Sequence, residues 1–254
     1  MSDVAPVVLP EAAPQSWAGG PNGVLVCHGF TGNPSSMRGL AAAFADAGFT
    51  VELPRWPGHG TSLDDMQTTG WTDWSAAAEA AYQELAARCE RVVVAGLSMG
   101  GTITCWLAAN HPEVAGIVCV NPSVEPPADS FIEMMEQTLA SGVDVMPGIG
   151  SDIAKEGVTE SAYEGMPLRP LVSMFGAVTD LAGRLSDIHC PVLLFTSPQD
   201  HVVPPSSSDV LAASVSGPVE RVSCDRSFHV ATLDHDKDEI ESRSVAFAQK
   251  VTAH

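Results

Sequence analysis

The sequence predicts an α/β fold: a mostly parallel central sheet with helices on both faces and one inserted segment. Three observations carry this expectation. Runs such as Gly23-Val24-Leu25-Val26-Cys27, Val92-Val93-Val94-Ala95 and Val114 to Val120 are apolar throughout, as strands covered by helices on both sides must be. Between them lie stretches whose apolar residues recur at helical three- and four-residue intervals. The strand and helix patterns alternate four times before residue 122, the rhythm of a doubly wound parallel sheet.

Taken in order, residues 1–20 are rich in Pro and Ala and are expected along the surface, with Val7-Val8-Leu9 tucked against the core. Strand 23–27 runs into the loop His28-Gly29-Phe30-Thr31-Gly32, whose glycines permit a tight path close to the sheet edge. Residues 36–47 form a helix with Met37, Leu40 and Phe44 on one face, and Gly48 is its natural stop. Phe49 to Leu53 is the next strand, closed by Pro54, and Pro57-Gly58-His59-Gly60 punctuates a loop. A helix over 71–89 presents Trp74, Ala78, Ala81 and Leu85 as a stripe. After Ser98 a helix reaches about Asn110, ended by His111-Pro112, and Val114 to Val120 is again a buried strand.

From residue 123 to 187 the rhythm breaks into Pro-rich entries, glycines and scattered helical pieces. Residues 1–122 and 188–254 are therefore assigned to the core and 123–187 to an inserted cap, which would lie over the carboxyl edge of the sheet. Five of the nine methionines fall in the insertion: Met134, Met135, Met146, Met166 and Met174. Flexible thioethers suit a pocket of variable shape or simply pack the cap on the sheet, and both readings stand. Pro191 to Thr196 restarts the sheet, followed by helix 206–214, strand 219–224 and a final helix from about Lys237 to Val251.

A chain of 254 residues suits one α/β domain with an insertion. The formal charge of −19 excludes nucleic acid and anionic membrane as partners, because either polyanion is repelled. No run approaches the roughly 18 apolar residues that cross a bilayer, so stable membrane insertion is not expected. The N-terminus lacks a basic segment followed by an apolar one, which predicts a mature protein beginning near Met1 in the cytoplasm. Cys27, Cys89, Cys105, Cys119, Cys190 and Cys224 show no C-x-x-C spacing and read as reduced core residues. Neither a metal site nor a cofactor is implied.

Chemistry concentrates where the run Val92 to Ala95 ends in Gly96-Leu97-Ser98-Met99-Gly100-Gly101 and opens into a helix. A Gly-x-Ser-x-Gly turn between strand and helix presents its serine as a nucleophile; the alternative is a serine that merely caps the helix. A hydroxyl needs a base, and the base needs an orienting acid. Asp200 just past one late strand and His229 in the loop after the next share the sheet edge of Ser98, in the order nucleophile, acid, base. His201 and His235 compete with His229 for the base, whereas His59 precedes the serine and reads as structural. Two main-chain donors are needed for an oxyanion: the N–H of Met99, and that of Phe30 in the loop after the first buried strand.

Together with Leu53-Pro54-Arg55, Gly58-His59-Gly60, Asp200-His201-Val202-Val203-Pro204-Pro205 and His229-Val230-Ala231-Thr232-Leu233-Asp234, these motifs resemble those of bacterial monoacylglycerol lipases and their small carboxylesterase relatives, of the α/β-hydrolase fold. The resemblance runs from about residue 22 to the C-terminus and includes Ile149-Gly150-Ser151-Asp152 and Glu160-Ser161-Ala162-Tyr163-Glu164. It implies hydrolysis of monoacylglycerols and other simple esters through an acyl-enzyme, with no cofactor, an apolar tunnel for the acyl chain and a small polar pocket for glycerol. It also implies that Glu160 and Ile149 contact substrate; the plainer reading of Glu160 is an ordinary solvated acid. Phe228 stands where a Tyr is usual. Rival expectations are a broad short-chain carboxylesterase and a non-catalytic ligand-binding protein, and apolar cap surface is open to homodimerisation, lipid docking or the tunnel.

Overall fold

The computed structural model describes residues 6–253. Its first half contains β1 (Gln15–Trp17), β2 (Asn22–Cys27), α1 (Arg38–Asp46), β3 (Thr50–Leu53), α2 (Leu63–Met66), α3 (Trp71–Ala86), β4 (Arg91–Leu97), α4 (Met99–Asn110) and β5 (Gly116–Val120). Then come α5 (Asp129–Ala140), β6 (Val145–Pro147), β7 (Gly165–Pro167) and α6 (Leu168–Ala182). The chain closes with β8 (Val192–Thr196), α7 (Ser206–Ser214), β9 (Val219–Ser223) and α8 (Lys237–Thr252). Seven strands form one sheet in the order β1-β3-β2-β4-β5-β8-β9. All pair in parallel except β1, which runs antiparallel to β3 at the edge.

Period-two alternation divides the strand residues between two apolar layers. Val24 and Val26 of β2, Val93 and Ala95 of β4 and Val118 of β5 face Phe44 of α1 and Phe247 of α8. Their alternates Leu25, Cys27, Val92, Val94 and Ile117 face Trp74 and Leu85 of α3 and Ile103 and Leu107 of α4. Covered on both sides, these strands have no polar face, which is why they read as unbroken apolar runs.

The strand order places a crevice. From β2 the chain steps outward to β3, then returns past β2 to β4 and proceeds the other way through β5, β8 and β9. The reversal lies between β2 and β4, and in open parallel sheets ligands bind outside the carboxyl ends of the strands at such a switch. The loops after β2 and β4 are those of His28 to Gly32 and of Ser98.

Several details depart from expectation. Val7 is 82% exposed, and Val8 and Leu9 are exposed as well. The N-terminal arm is held instead by the Leu9 N–H on the Gly60 carbonyl at 2.8 Å and by the buried Ala12. The helix expected from residue 36 opens as a 3₁₀ turn, Pro34–Met37, before α1. On α3, Tyr82 rather than Ala81 completes the buried stripe. Residues 123–187 contribute no strand to the main sheet; β6 and β7 pair only with each other. Met135 of α5 and Met174 of α6 are buried in the layer beneath, while Met134 is 44% exposed. All six cysteines are free thiols.

Beneath the switch lies a buried aromatic knot. The His28 Nε2 accepts the Trp56 N–H at 3.2 Å, which leaves Nδ1 to donate to the Gly29 carbonyl at 3.0 Å. His59 Nδ1 donates to the Pro57 carbonyl at 3.0 Å, and its ring packs edge-on against Trp74. Burial pushes the His59 imidazole down to about 4 and lowers His28 in the same direction. Because the unfolded imidazoles titrate near 6.5, the unfolded chain binds more protons between about pH 6.5 and pH 4. The contribution of His59, roughly 3 kcal/mol at full extent, is intact above the unfolded value and lost as the pH falls toward 4. Urea unfolding across this range should show a steeper fall in the wild type than in His59→Asn, whatever the variant's absolute stability; equal slopes would contradict it.

Candidate active site

Ser98 occupies the single residue between β4 and α4, at φ 58° and ψ −121°. A side chain in this region is strained by roughly 1–3 kcal/mol and persists only where its surroundings dictate it. Here the Ser98 N–H donates to the Val120 carbonyl at 3.0 Å, and its own carbonyl accepts the N–H groups of Gly101 at 2.8 Å and Thr102 at 3.1 Å. A methyl on Gly96 would overlap the Gly100 carbonyl, and one on Gly100 would overlap the Cys27 carbonyl. Only glycine lets strand and helix approach this closely. The Ser98 side chain makes no capping bond to the helix, so the capping reading of this serine is not realised.

Asp200 follows β8 and His229 follows β9. Asp200 Oδ2 lies 2.7 Å from His229 Nδ1, with both side chains buried. The other oxygen of Asp200 accepts the N–H groups of Val202 and Val203, each at 2.8 Å. The His229 main chain is held as well, its N–H by Asp152 at 3.0 Å and its carbonyl by the Asn121 side-chain amide at 2.8 Å. Among the described residues Nε2 alone of its polar atoms has no partner. It forms no hydrogen bond to Ser98 here, but both residues line one cavity; hydrogen bonds of this kind are often long until substrate arrives. Neither rival imidazole is so placed. His201 is bound to Asp152 at 2.8 Å and packs edge-on against Phe228, and His235 is exposed.

The cavity, of about 110 Å³, is walled by Phe30, Leu97, Ile149, Met166, Val202 and Val230 and carries Ser98, His229, Asp152, Glu160 and Tyr163 as polar groups. The main-chain N–H groups of Phe30 and Met99 have no partner among the described residues. That of Met99 is the first of α4, a position that helix geometry leaves unsatisfied. Glu160 is half-buried at the cavity rather than fully exposed. Burial pushes its carboxyl up to about 7, against the attraction of His229 and the Ser36 hydroxyl. Ile149 is 62% exposed at the cavity's edge. Of the five methionines singled out, Met166 is the one on the cavity wall.

Four residues that build the site were given no role by the sequence, although Asp152, Tyr163 and Asp234 lie within stretches that carry the resemblance. Asn121, at φ 44° just past β5, accepts the Ser197 N–H at 2.7 Å and bridges to the His229 carbonyl. Tyr163 donates its hydroxyl to the Gly58 carbonyl and accepts the Thr61 N–H, each at 2.8 Å. Asp152 and Asp234 accept main-chain N–H groups far from them in sequence. One signal was available: a polar Asn121 directly abutting a run of buried strand residues.

A family profile described as alpha/beta hydrolase fold matches residues 22–159. The chain is 43% identical to a thermostable monoacylglycerol lipase of Bacillus sp. (strain H-257), over 98% of this chain and 99% of that relative. It is 27% identical to a carboxylesterase of Bacillus subtilis (strain 168), over 96% of this chain and 98% of that one. A solved structure from work on two metagenome-derived lipolytic enzymes, LipS and LipT, matches with a TM-score of 0.92 at 40% identity, over 96% of this chain and 100% of that one. The monoacylglycerol lipase of Paleococcus ferrophilus matches with a TM-score of 0.78 at 16% identity, over 94% and 99%, a likeness of fold. Matched by the profile over more than half its length and by the Bacillus lipase over nearly all of it, the chain belongs to the α/β-hydrolase fold family, with the bacterial monoacylglycerol lipases and small carboxylesterases.

Proposed function

We propose that the protein is a serine hydrolase that cleaves monoacylglycerols to glycerol and free fatty acid through an acyl-enzyme. The observation that carries the reading is the buried 2.7 Å bond between Asp200 and His229, whose free Nε2 belongs to a residue sharing a cavity with the strained Ser98. In this mechanism Ser98 Oγ attacks the ester carbonyl as His229 Nε2 takes its proton. Asp200 holds the imidazole tautomer and stabilises the cation, and the N–H groups of Phe30 and Met99 hold the oxyanion. His229 returns the proton to the departing alcohol, and a water molecule repeats the sequence on the acyl-enzyme.

Residues 123–187 act as the cap in this reading, supplying Ile149 and Met166 to the acyl-chain wall and Glu160 to the glycerol end. A carboxyl whose affinity for protons has risen to about 7 hydrogen-bonds a hydroxyl in either protonation state. No helix among the described residues is long and apolar enough to cross a membrane; a cytoplasmic location is part of the proposed reading. The similarity to a carboxylesterase keeps broad short-chain ester hydrolysis as the second reading.

Replacing Ser98 by Ala should lower turnover of p-nitrophenyl butyrate by a factor on the order of 10⁶ without altering circular dichroism, and retained turnover would remove the nucleophile. Glu160→Ala should lower kcat/KM for a monoacylglycerol by about tenfold, roughly the cost of removing one hydrogen-bond partner, while leaving a methyl ester of the same acid unaffected. Equal losses on both substrates would take glycerol recognition away from Glu160. Steady-state rates on monoacylglycerols, short-chain esters and triacylglycerols separate the two readings: preference for the first supports the lipase, preference for the second the esterase, and dominant triacylglycerol cleavage contradicts both.

A further inference from the structure

Asp152 belongs to the connection between β6 and β7, not to either loop that carries Asp200 or His229. It is buried, 9% exposed, and lines the cavity shared by Ser98 and His229. Its Oδ2 accepts the main-chain N–H of His229 at 3.0 Å and that of His201 at 3.1 Å. Its Oδ1 meets the His201 Nδ1 at 2.8 Å, and its own carbonyl accepts the Val230 N–H at 3.1 Å. One oxygen atom thus grips the backbone of the imidazole residue and the backbone of the residue next to its acid.

Side chains set the spacing of those two backbones. Near the strand ends Asn121 ties Ser197 to the His229 carbonyl, and the Ser197 hydroxyl donates to the Phe228 carbonyl at 2.9 Å. Asp152 adds the link that reaches the residue beside Asp200. β8 and β9 last pair at Thr196 and Ser223, so beyond that point no ladder hydrogen bond fixes how far apart Asp200 and His229 stand. The stretch that carries Asp152 is anchored in return. Asp234 accepts the N–H groups of Ala154 at 2.7 Å and Lys155 at 2.9 Å, together with those of Phe228 at 2.9 Å and His235 at 2.8 Å. Each carboxylate reaches across to the other's segment, and the pair forms a reciprocal clasp.

We propose that Asp152 is a positioning residue for ester hydrolysis, setting the separation of the Asp200 and His229 loops through their main-chain amides. The inference rests on the catalytic roles assigned above to Ser98, Asp200 and His229. Its content is geometric: what matters is an acceptor oxygen at the Oδ2 position, not the charge. Asparagine at 152 keeps such an oxygen and offers its NH₂ to His201 Nδ1, an acceptor in one neutral tautomer. Glutamate keeps the charge, but its extra methylene displaces the oxygens by more than the loops can follow without shifting.

Steady-state kinetics on p-nitrophenyl butyrate, with thermal unfolding as the check on folding, would test this in Asp152→Asn, Asp152→Glu and Asp152→Ala. Misplacement of reacting groups by about 1 Å costs on the order of 10² in rate. That loss is expected in kcat, with KM unchanged, for Asp152→Glu and Asp152→Ala, and Asp152→Asn should recover most of the activity. Asp152→Glu equal to or better than Asp152→Asn would overturn the proposal, as would wild-type kcat in a folded Asp152→Ala. Should Asp152→Ala fail to fold, the order of Asn and Glu decides alone. Ser98→Ala in the same assay separates the two levels: an active Ser98→Ala removes the catalytic reading, whereas an inactive one beside fully active Asp152 variants removes only the clasp.

Discussion

Everything at the rim of this sheet depends on how closely the turn after β4 lies against β2. Gly100 packs where any side chain would strike the Cys27 carbonyl, and Gly96 where one would strike Gly100. That approach turns the chain within one residue, and Ser98 absorbs the turn with a positive φ. The covered parallel sheet holds the strain from both sides, because Ser98 is tied to β5 through Val120 and to α4 through Gly101 and Thr102. The loop after β2 then passes beside the serine, where a methyl on Gly29 would come into ordinary contact with the Ser98 side chain.

Beyond the strand ends a different force takes over. Backbone amides there have lost their ladder partners, and buried ones must be satisfied by side chains. Asn121, Asp152, Asp200 and Asp234 do this, each accepting at least one main-chain N–H. The residues that place the His229 imidazole are thus the same ones that remove the penalty of burying these loops. On the proposed mechanism, catalytic geometry and local stability share one set of hydrogen bonds.

This division explains what could be read in the sequence. β2, β4, β5 and β8 announce themselves because burial on both faces leaves only apolar residues, and Ser98 and Asp200 follow from their places after such runs. His229 comes after the half-exposed edge strand β9 and follows instead from the order nucleophile, acid, base. Edge elements do not announce themselves. β1 is three residues, Gln15-Ser16-Trp17, paired on one side only, and its pattern is indistinguishable from loop. In α6, Pro170 falls within the first turn, where a missing N–H costs nothing, yet in sequence it reads as a break. Val7 to Leu9 look like core and lie exposed, since three apolar residues do not say whether anything covers them. Asp152 and Asp234 fall in stretches that carry the resemblance, but their roles were not legible, for another reason: their partners are main-chain amides up to 80 residues away, and a backbone amide has no residue type to recognise.

The connection between β6 and β7 places Ile149, on the cavity wall, three positions before Asp152, which grips the imidazole loop. On the proposed roles, selectivity and speed are written on one short ribbon of chain. A hydrolase of this build cannot exchange its acyl-facing surface by wholesale replacement of the ribbon, because the graft would have to deliver an acceptor oxygen to the same spot. Diversification is confined to single side chains such as residue 149, around a neighbour that has to stay where it is.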